Sequence, residues 1–158
     1  MEKTVSILAL ILTGLTTFGQ MNSSDKINKD KKIVYDFVNA INEHNVDKIC
    51  LLMTYDHTFI DAHGNEMSGK DKMKVGWAGY FRWFPDYKIE ITDIFSNGDT
   101  LAAFGFTSGT FKGIKTEKNE NYWRLPASWK ILLSNNKIKL WQVYADTKIP
   151  FDIIDKNK

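Results

Sequence analysis

The stretch His57-Thr-Phe-Ile-Asp-Ala-His-Gly64 gathers two imidazoles and a carboxylate within seven residues. Read as a strand, it puts His57, Phe59, Asp61 and His63 on one side and Thr58, Ile60 and Ala62 on the other. A carboxylate within reach of an imidazole holds its tautomer and raises its basicity, which makes an acid–base pair. An Asp in an apolar cavity has its carboxyl raised by desolvation and can move protons on a bound molecule. Asp61 and His63 are therefore the candidate catalytic pair, with His57 and Phe59 beside them as ligand-shaping residues. The competing reading makes Asp61 a turn residue bonded to its own loop and His57 a polar residue at the strand mouth. Strand positions two apart lie about 7 Å from one another, so three metal ligands from 57 to 63 would need a sharp bulge. The third histidine, His44, falls in a helix-end turn, and no metal or other cofactor is assigned.

The elements that must position these side chains follow from periodicity. After a polar lead-in over 21–31, expected as a loose N-terminus that passes into helix, Ile33, Val34, Phe37, Val38 and Ile41 form a helical stripe. Asn45 caps a second, shorter helix whose apolar side is Val46, Ile49, Cys50, Leu52 and Met53, so Cys50 reads as a small core hydrophobe. A third helix, from about Lys70 to Trp83, carries Met73, Trp77, Tyr80, Phe81 and Phe84 as a wide aromatic face and stops at Pro85. Beyond Pro85 the period is 2. Tyr87, Ile89 and Ile91 alternate with polar residues, and Gly105 and Gly109 suggest bends or bulges in the next strand. Trp123, Leu125, Ala127, Trp129, Ile131 and Leu133 share a face, Ser134–Lys137 is a hairpin signal, and Trp141 opposes Leu140, Gln142 and Tyr144 in the last strand. Residues 112–121 form a polar connection, 32–150 the domain and 151–158 a tail. Arg124 and Asp146 are placed to pair. The expected architecture is α+β, a cone-shaped curved antiparallel sheet covered by three N-terminal helices, with a hollow inside.

Bulk properties narrow the function classes. The chain has 158 residues, a formal net charge of +2 and 13% aromatic residues, five of them tryptophan. That charge is too small to imply nucleic acid or an anionic membrane as partner. A single cysteine forbids an intrachain disulfide, so packing must hold the fold. The apolar run after Lys3 is short and ends near Gly19–Gln20, the pattern of a cleaved secretory signal over 1–20. Export to a periplasmic or extracellular space, with no stable membrane anchor after cleavage, is the expectation.

The order of elements, with Trp123–Asp146, "FVNAINEHNVDKI", "FIDAHG" and "FPDYKIEITDIFSNGD", resembles the SnoaL-like family of the nuclear transport factor 2-like superfamily over about Ile33 to Asp146. The resemblance implies a cone-shaped barrel with an interior pocket, often dimerised through the outer sheet face. That superfamily holds steroid isomerases, polyketide cyclases, dehydratases and epoxide hydrolases, along with binding domains that catalyse nothing, so fold alone does not settle function. By likeness to the ketosteroid isomerases, Asp61 falls on the catalytic base, with Ala62 where a Pro is common. Their oxyanion-hole Tyr is replaced by Phe37, and no carboxylate stands around Ser128 and Trp129, so steroid-isomerase chemistry as such is not expected.

Two readings follow. In the first, the cavity binds a small, mostly hydrophobic molecule, possible chemistry being cofactor-free isomerase, cyclase, dehydratase or hydrolase type with Asp61 as base or acid and His63 assisting. His57, Phe59, Trp77, Phe81, Trp129 and Tyr144 would shape that site, in a homodimer. In the second, the chain is a non-catalytic interaction or dimerisation module, with Trp77, Phe81 and Trp129 filling the interior and an exposed apolar sheet face.

Overall fold

The strands after Pro85 do form four neighbouring strands of a curved sheet. A computed structural model describes residues 22–113 and 120–157; the expected signal segment and most of the 112–121 connection lie outside them. In chain order the elements are α1 (Ser23–Asn42), α2 (Val46–Leu52), β1 (Met53–Ile60), β2 (Glu66–Ser68), α3 (Lys70–Trp83), β3 (Lys88–Asn97), β4 (Thr100–Thr110), β5 (Tyr122–Ser134), β6 (Lys137–Ala145) and α4 (Lys148–Lys156). The strand order is β2-β1-β6-β5-β4-β3. All neighbours are antiparallel except β1 and β6, which run parallel, so the sheet is mixed rather than purely antiparallel.

Alternation decides which side chains turn inward. β5 buries Trp123, Leu125, Ala127, Trp129, Ile131 and Leu133, and the register carries that face across to Leu101 and Ala103 on β4 and Trp141 on β6. The sheet bends where the β3–β4 register shifts between Ile91 and Asp93, opposite Gly105. A Cβ at Gly105 would lie 1.8 Å from the Glu90 carbonyl oxygen, so only glycine permits this approach. The hairpin over Asn135 and Asn136 has φ of 51° and 57°, the left-handed pair a tight two-residue turn requires.

α1 lays Ile33, Val34, Phe37, Val38 and Ile41 into the hollow of the sheet. It starts at Ser23, well before the apolar stripe: Lys26 bonds Asp30 at 2.7 Å and Asp99 at 2.9 Å, tying the polar lead-in to the β3–β4 turn as helix. Asn45 caps α2 by accepting from the Lys48 amide. α3 ends at Trp83, ahead of Pro85. The tail at the chain end is instead α4, which buries Pro150 and Ile153.

Replacing Gly105 with Ala forces a methyl group into the β3 backbone. We expect a loss of about 2–3 kcal/mol, the upper part of the overpacking range, read as a fall of roughly 6–10 °C in melting temperature. Gly109→Ala, whose Cβ would meet its neighbours no closer than 3.4 Å, is the milder control. Equal melting temperatures for the two variants would overturn this account of the bend.

Candidate functional site

The concave interior holds the chain's concentration of buried rings with polar edges. α3 supplies Trp77, stacked on Phe81 at 5.4 Å and edge-on to Tyr80 at 6.1 Å. Tyr80 meets Tyr87 edge-on at 4.9 Å, and Tyr87 lies 6.1 Å from Trp123. Further along the same face Trp129 sits 5.8 Å from Trp141, which packs on Phe37. The indole N–H groups of Trp77, Trp123 and Trp129 are buried with no protein partner. Burial drives the Tyr80 and Tyr87 phenols up, Tyr87 to about 12, so both hydroxyls stay protonated.

His57 joins this interior from an irregular part of β1. The β1–β6 register slips between Met53 and Thr58; His57 is fully buried on the inward side that alternation shares with Phe59, 6.3 Å from the Phe37 ring. Its Nδ1 lies 2.9 Å from the Ile138 carbonyl oxygen. A carbonyl only accepts, so Nδ1 carries the proton and Nε2 is left with a lone pair and no partner. Burial holds the imidazole below its ordinary pKa, against the weaker opposite pull of the Ile138 bond. The result is a neutral, buried base.

Asp61 and His63 lie elsewhere. β1 ends at Ile60, so the expected alternation breaks, and both residues sit in the turn toward β2. One Asp61 oxygen accepts from the His63 and Asn65 amides at 2.8 and 2.9 Å, and the other from the Asn65 side chain at 2.8 Å. Burial works to raise this carboxyl, but the bonds from Asn65 and His63 outweigh it and hold it below the ordinary value. That is opposite to the expected upward shift. Asp61 behaves here as a turn anchor, the competing reading of the sequence. His63 Nε2 is 3.3 Å from Thr147 Oγ1, and its ring meets Phe151 edge-on at 5.1 Å, so it faces α4 rather than Asp61's carboxylate.

The remaining expected residues divide. Phe59 pairs with Trp141 and, like Phe81, packs against the buried cluster that holds Trp77 and Trp129. Tyr144 does not belong to this group. It is 50% exposed on the convex side, because Trp141 takes the inward position and alternation sends Leu140, Gln142 and Tyr144 outward. Ser128, paired with Phe104 and Tyr144, is also on the convex side; the inward donor at that level is the Trp129 indole. Arg124 pairs with Glu90 at 3.0 Å, not with Asp146. Two surface clefts among the described residues, one beside Lys26, Asp30 and Asn135 and one beside Asp36, Glu43 and Leu51, stay outside the cone. Among those residues no cluster of three His, Cys, Asp or Glu offers a metal set. The sequence reading missed that the indole N–H groups and the Nε2 of His57 are left without protein partners; their inward parity was readable, their lack of partners was not.

The SnoaL-like domain family model matches residues 34–141. No curated protein matches the chain in sequence. Among solved structures, the chain is similar to a protein of ketosteroid isomerase-like fold from Catenulispora acidiphila, solved in complex with trimethylamine, at 22% identity and a TM-score of 0.63, over 72% of this chain and 84% of that one. An LEH-like epoxide hydrolase from M. tuberculosis aligns at 12% identity and a TM-score of 0.67, over 82% and 92%. A candidate SnoaL-like polyketide cyclase from Shewanella putrefaciens aligns at 14% identity and a TM-score of 0.68, over 81% and 97%. At these identities the likeness establishes the fold.

The state of His57 has a consequence for stability. Its imidazole is neutral in the fold, whereas in the unfolded chain it protonates near 6.5. The unfolded state gains the proton first as pH falls, so stability drops from about pH 6.5 downward until the folded imidazole itself titrates. Thermal melts between pH 8 and 5 check this. His57→Asn, which keeps an N–H donor for Ile138, is expected to lose less stability over that window than the parent. Parallel profiles would refute the assignment.

Proposed function

The chain belongs to the SnoaL-like domain family, and from that premise we propose that it binds a small, mostly hydrophobic, oxygen-bearing molecule inside the cone. The observation that carries this reading is the polar lining of an otherwise apolar interior: three indole N–H donors and one imidazole acceptor without protein partners. Buried polar groups are nearly always satisfied, and a ligand with carbonyl or ether oxygens and one hydroxyl would complete these. The trimethylamine bound in the Catenulispora protein supports the general idea that this fold takes small guests.

For cofactor-free proton transfer on such a guest, of the isomerase, cyclase, dehydratase or hydrolase type, His57 Nε2 is the better base. It is buried, neutral and unpartnered, whereas both oxygens of Asp61 are engaged by its own turn. Asp61 and His63 then support the wall of the site rather than the reaction. Export by way of residues 1–20 belongs to the same reading and rests on the sequence pattern; the mass of the mature protein tests it.

A second reading has its own observation. The convex face exposes Phe95 at 62% and Phe104 at 45%, edge-on to each other, together with Tyr144. Beside them the Arg124 guanidinium covers the Phe106 ring at 3.7 Å. Such a patch fits a docking face, and we assign it to a homodimer.

Thermal-shift titration with 2-acetylnaphthalene and 2-naphthol tests the first reading. Binding at about a hundredfold excess over Kd raises stability by about 2.7 kcal/mol, and Trp129→Phe, which removes the N–H and keeps a ring, is expected to weaken the ketone's binding by roughly 3–10-fold. Absence of any shift up to the solubility limit with both compounds would count against it. For the second, light scattering on the eluting protein is expected to give a dimer that Phe104→Glu converts to monomer; a monomeric parent would remove it.

A further inference from the structure

The buried polar groups of the interior lie between the sheet and the helices. The sheet closes one side, α1 and α3 close the other, and the Lys26–Asp99 pair ties α1 to the β3–β4 turn at the narrow end. The wide end is crossed by α4. We propose that α4 is a lid that gates this interior, hinged at Asp146–Thr147 and latched at its far end by Asn157 on Asn121. The proposal rests on the reading that a ligand enters the cone.

Each end of α4 is held by a few polar contacts. At the hinge, Asp146 accepts from the Lys148 amide at 2.9 Å, and Thr147 and Phe151 meet His63 in the β1–β2 turn. At the latch, Asn157 donates to the Asn121 side-chain oxygen at 3.0 Å, Asn121 donates back at 3.4 Å, and Asn121 also donates to the Phe111 carbonyl at 3.2 Å. A second Asn157 bond, to the Ile153 carbonyl at 2.8 Å, ties the same amide to the last turn of its own helix. Gly113 makes the seat: a Cβ there would lie 2.7 Å from the Asn157 Cβ. Between hinge and latch only Pro150 and Ile153 are buried, while Ile149 and Phe151 remain exposed. A nine-residue helix held this sparingly belongs to the class of elements that open locally well before the fold unfolds. His63 acquires a role in this arrangement, as the surface on which the hinge end rests.

The seat at Gly113 supplies the test. A Gly113→Cys, Asn157→Cys double variant in a Cys50→Ser background brings the two Cβ atoms close enough for a disulfide once the helix end recedes by about 1 Å. Oxidised, it locks the lid; reduced, it lacks the latch. Proton exchange of the indole N–H groups, followed by NMR, reads opening without any ligand. We expect the Trp123 and Trp77 indole protons to exchange at least about tenfold more slowly in the oxidised form than in the reduced one. Trp83, a residue 57% exposed, serves as an internal control unaffected by oxidation. Equal exchange in the two forms overturns the lid. Binding of 2-naphthol is then followed in the same pair, and a lid slows its association in the oxidised form by a similar factor. Gated exchange without any naphthol binding leaves the lid standing and defeats the ligand reading, so the two fail separately. Should the double variant not fold, Asn157→Ala in the full chain is read by amide exchange: faster exchange over 148–156 than in the parent, with β5 unchanged, supports the latch, and unchanged exchange in α4 overturns it.

Discussion

The cone depends on two strands being allowed to touch. At Gly105 the β4 backbone comes so near β3 that a methyl group would fall 1.8 Å from the Glu90 carbonyl oxygen. The register slips by one residue just there. A bulge on one strand and a missing side chain on the other add local twist and bend the sheet toward its inward face. With a flat sheet in its place, the large rings of β5 would point at α1 and α3 across a slot too shallow to enclose them. Curvature wraps that row of Trp, Leu and Ile around the inward faces of α1 and α3.

The helices are then fixed to the curved sheet by polar bonds at defined points as well as by packing. Asn42 at the end of α1 reaches Ile89, donating to its carbonyl and accepting from its amide at 2.9 and 2.8 Å, so a side chain stands in for a strand partner. His44, at a φ of 53°, turns the chain back and donates to the Tyr87 carbonyl at 2.9 Å while its ring rests on Phe81. Asp86 accepts from both the amide and the hydroxyl of Thr110 at 2.6 Å. These bonds converge on the wide end of the cone, where α1 stops, α3 stops and β3 begins. Aromatic packing tolerates sliding; the bonds set where α3 holds Trp77, Tyr80 and Phe81 over the sheet.

Legibility in the sequence followed how local the cause was. Period 2 in β5 and period 3.6 in α1 are carried by neighbouring side chains, and so the inward rows of both were readable, as were the Asn45 cap, the stop at Pro85 and the bend at Gly105. The parallel β1–β6 pairing was not, since nothing in either strand states its neighbour. The face expected for His57, Phe59, Asp61 and His63 held only for its first half. Alternation was extended past Ile60 into a turn that Asp61 itself closes, while His57 and Phe59, upstream of that turn, keep the inward face that alternation gives them. Helix α4 left a weak trace: Asp146 and Thr147 before it, Pro150 in its first turn, then Ile153 and Ile154. Without the sheet end to cover, that pattern reads as a polar tail.

The choice of rings inside the cone argues that the interior serves more than stability. Phe would fill much of the volume of Trp77, Trp123 or Trp129 with no polar atom to satisfy. An indole whose N–H finds no partner carries a penalty of about 1–3 kcal/mol, and a buried imidazole nitrogen a similar one. Set against a net stability of about 5–15 kcal/mol for a domain of this kind, four such groups are a large concession. Ordered water could relieve part of it, at the cost of immobilising each molecule. A guest that supplies the missing acceptors and one donor relieves it while adding apolar contact with the rings, which water cannot do. Under the proposed reading, the groups left without protein partners on the inward side are those that a guest would satisfy.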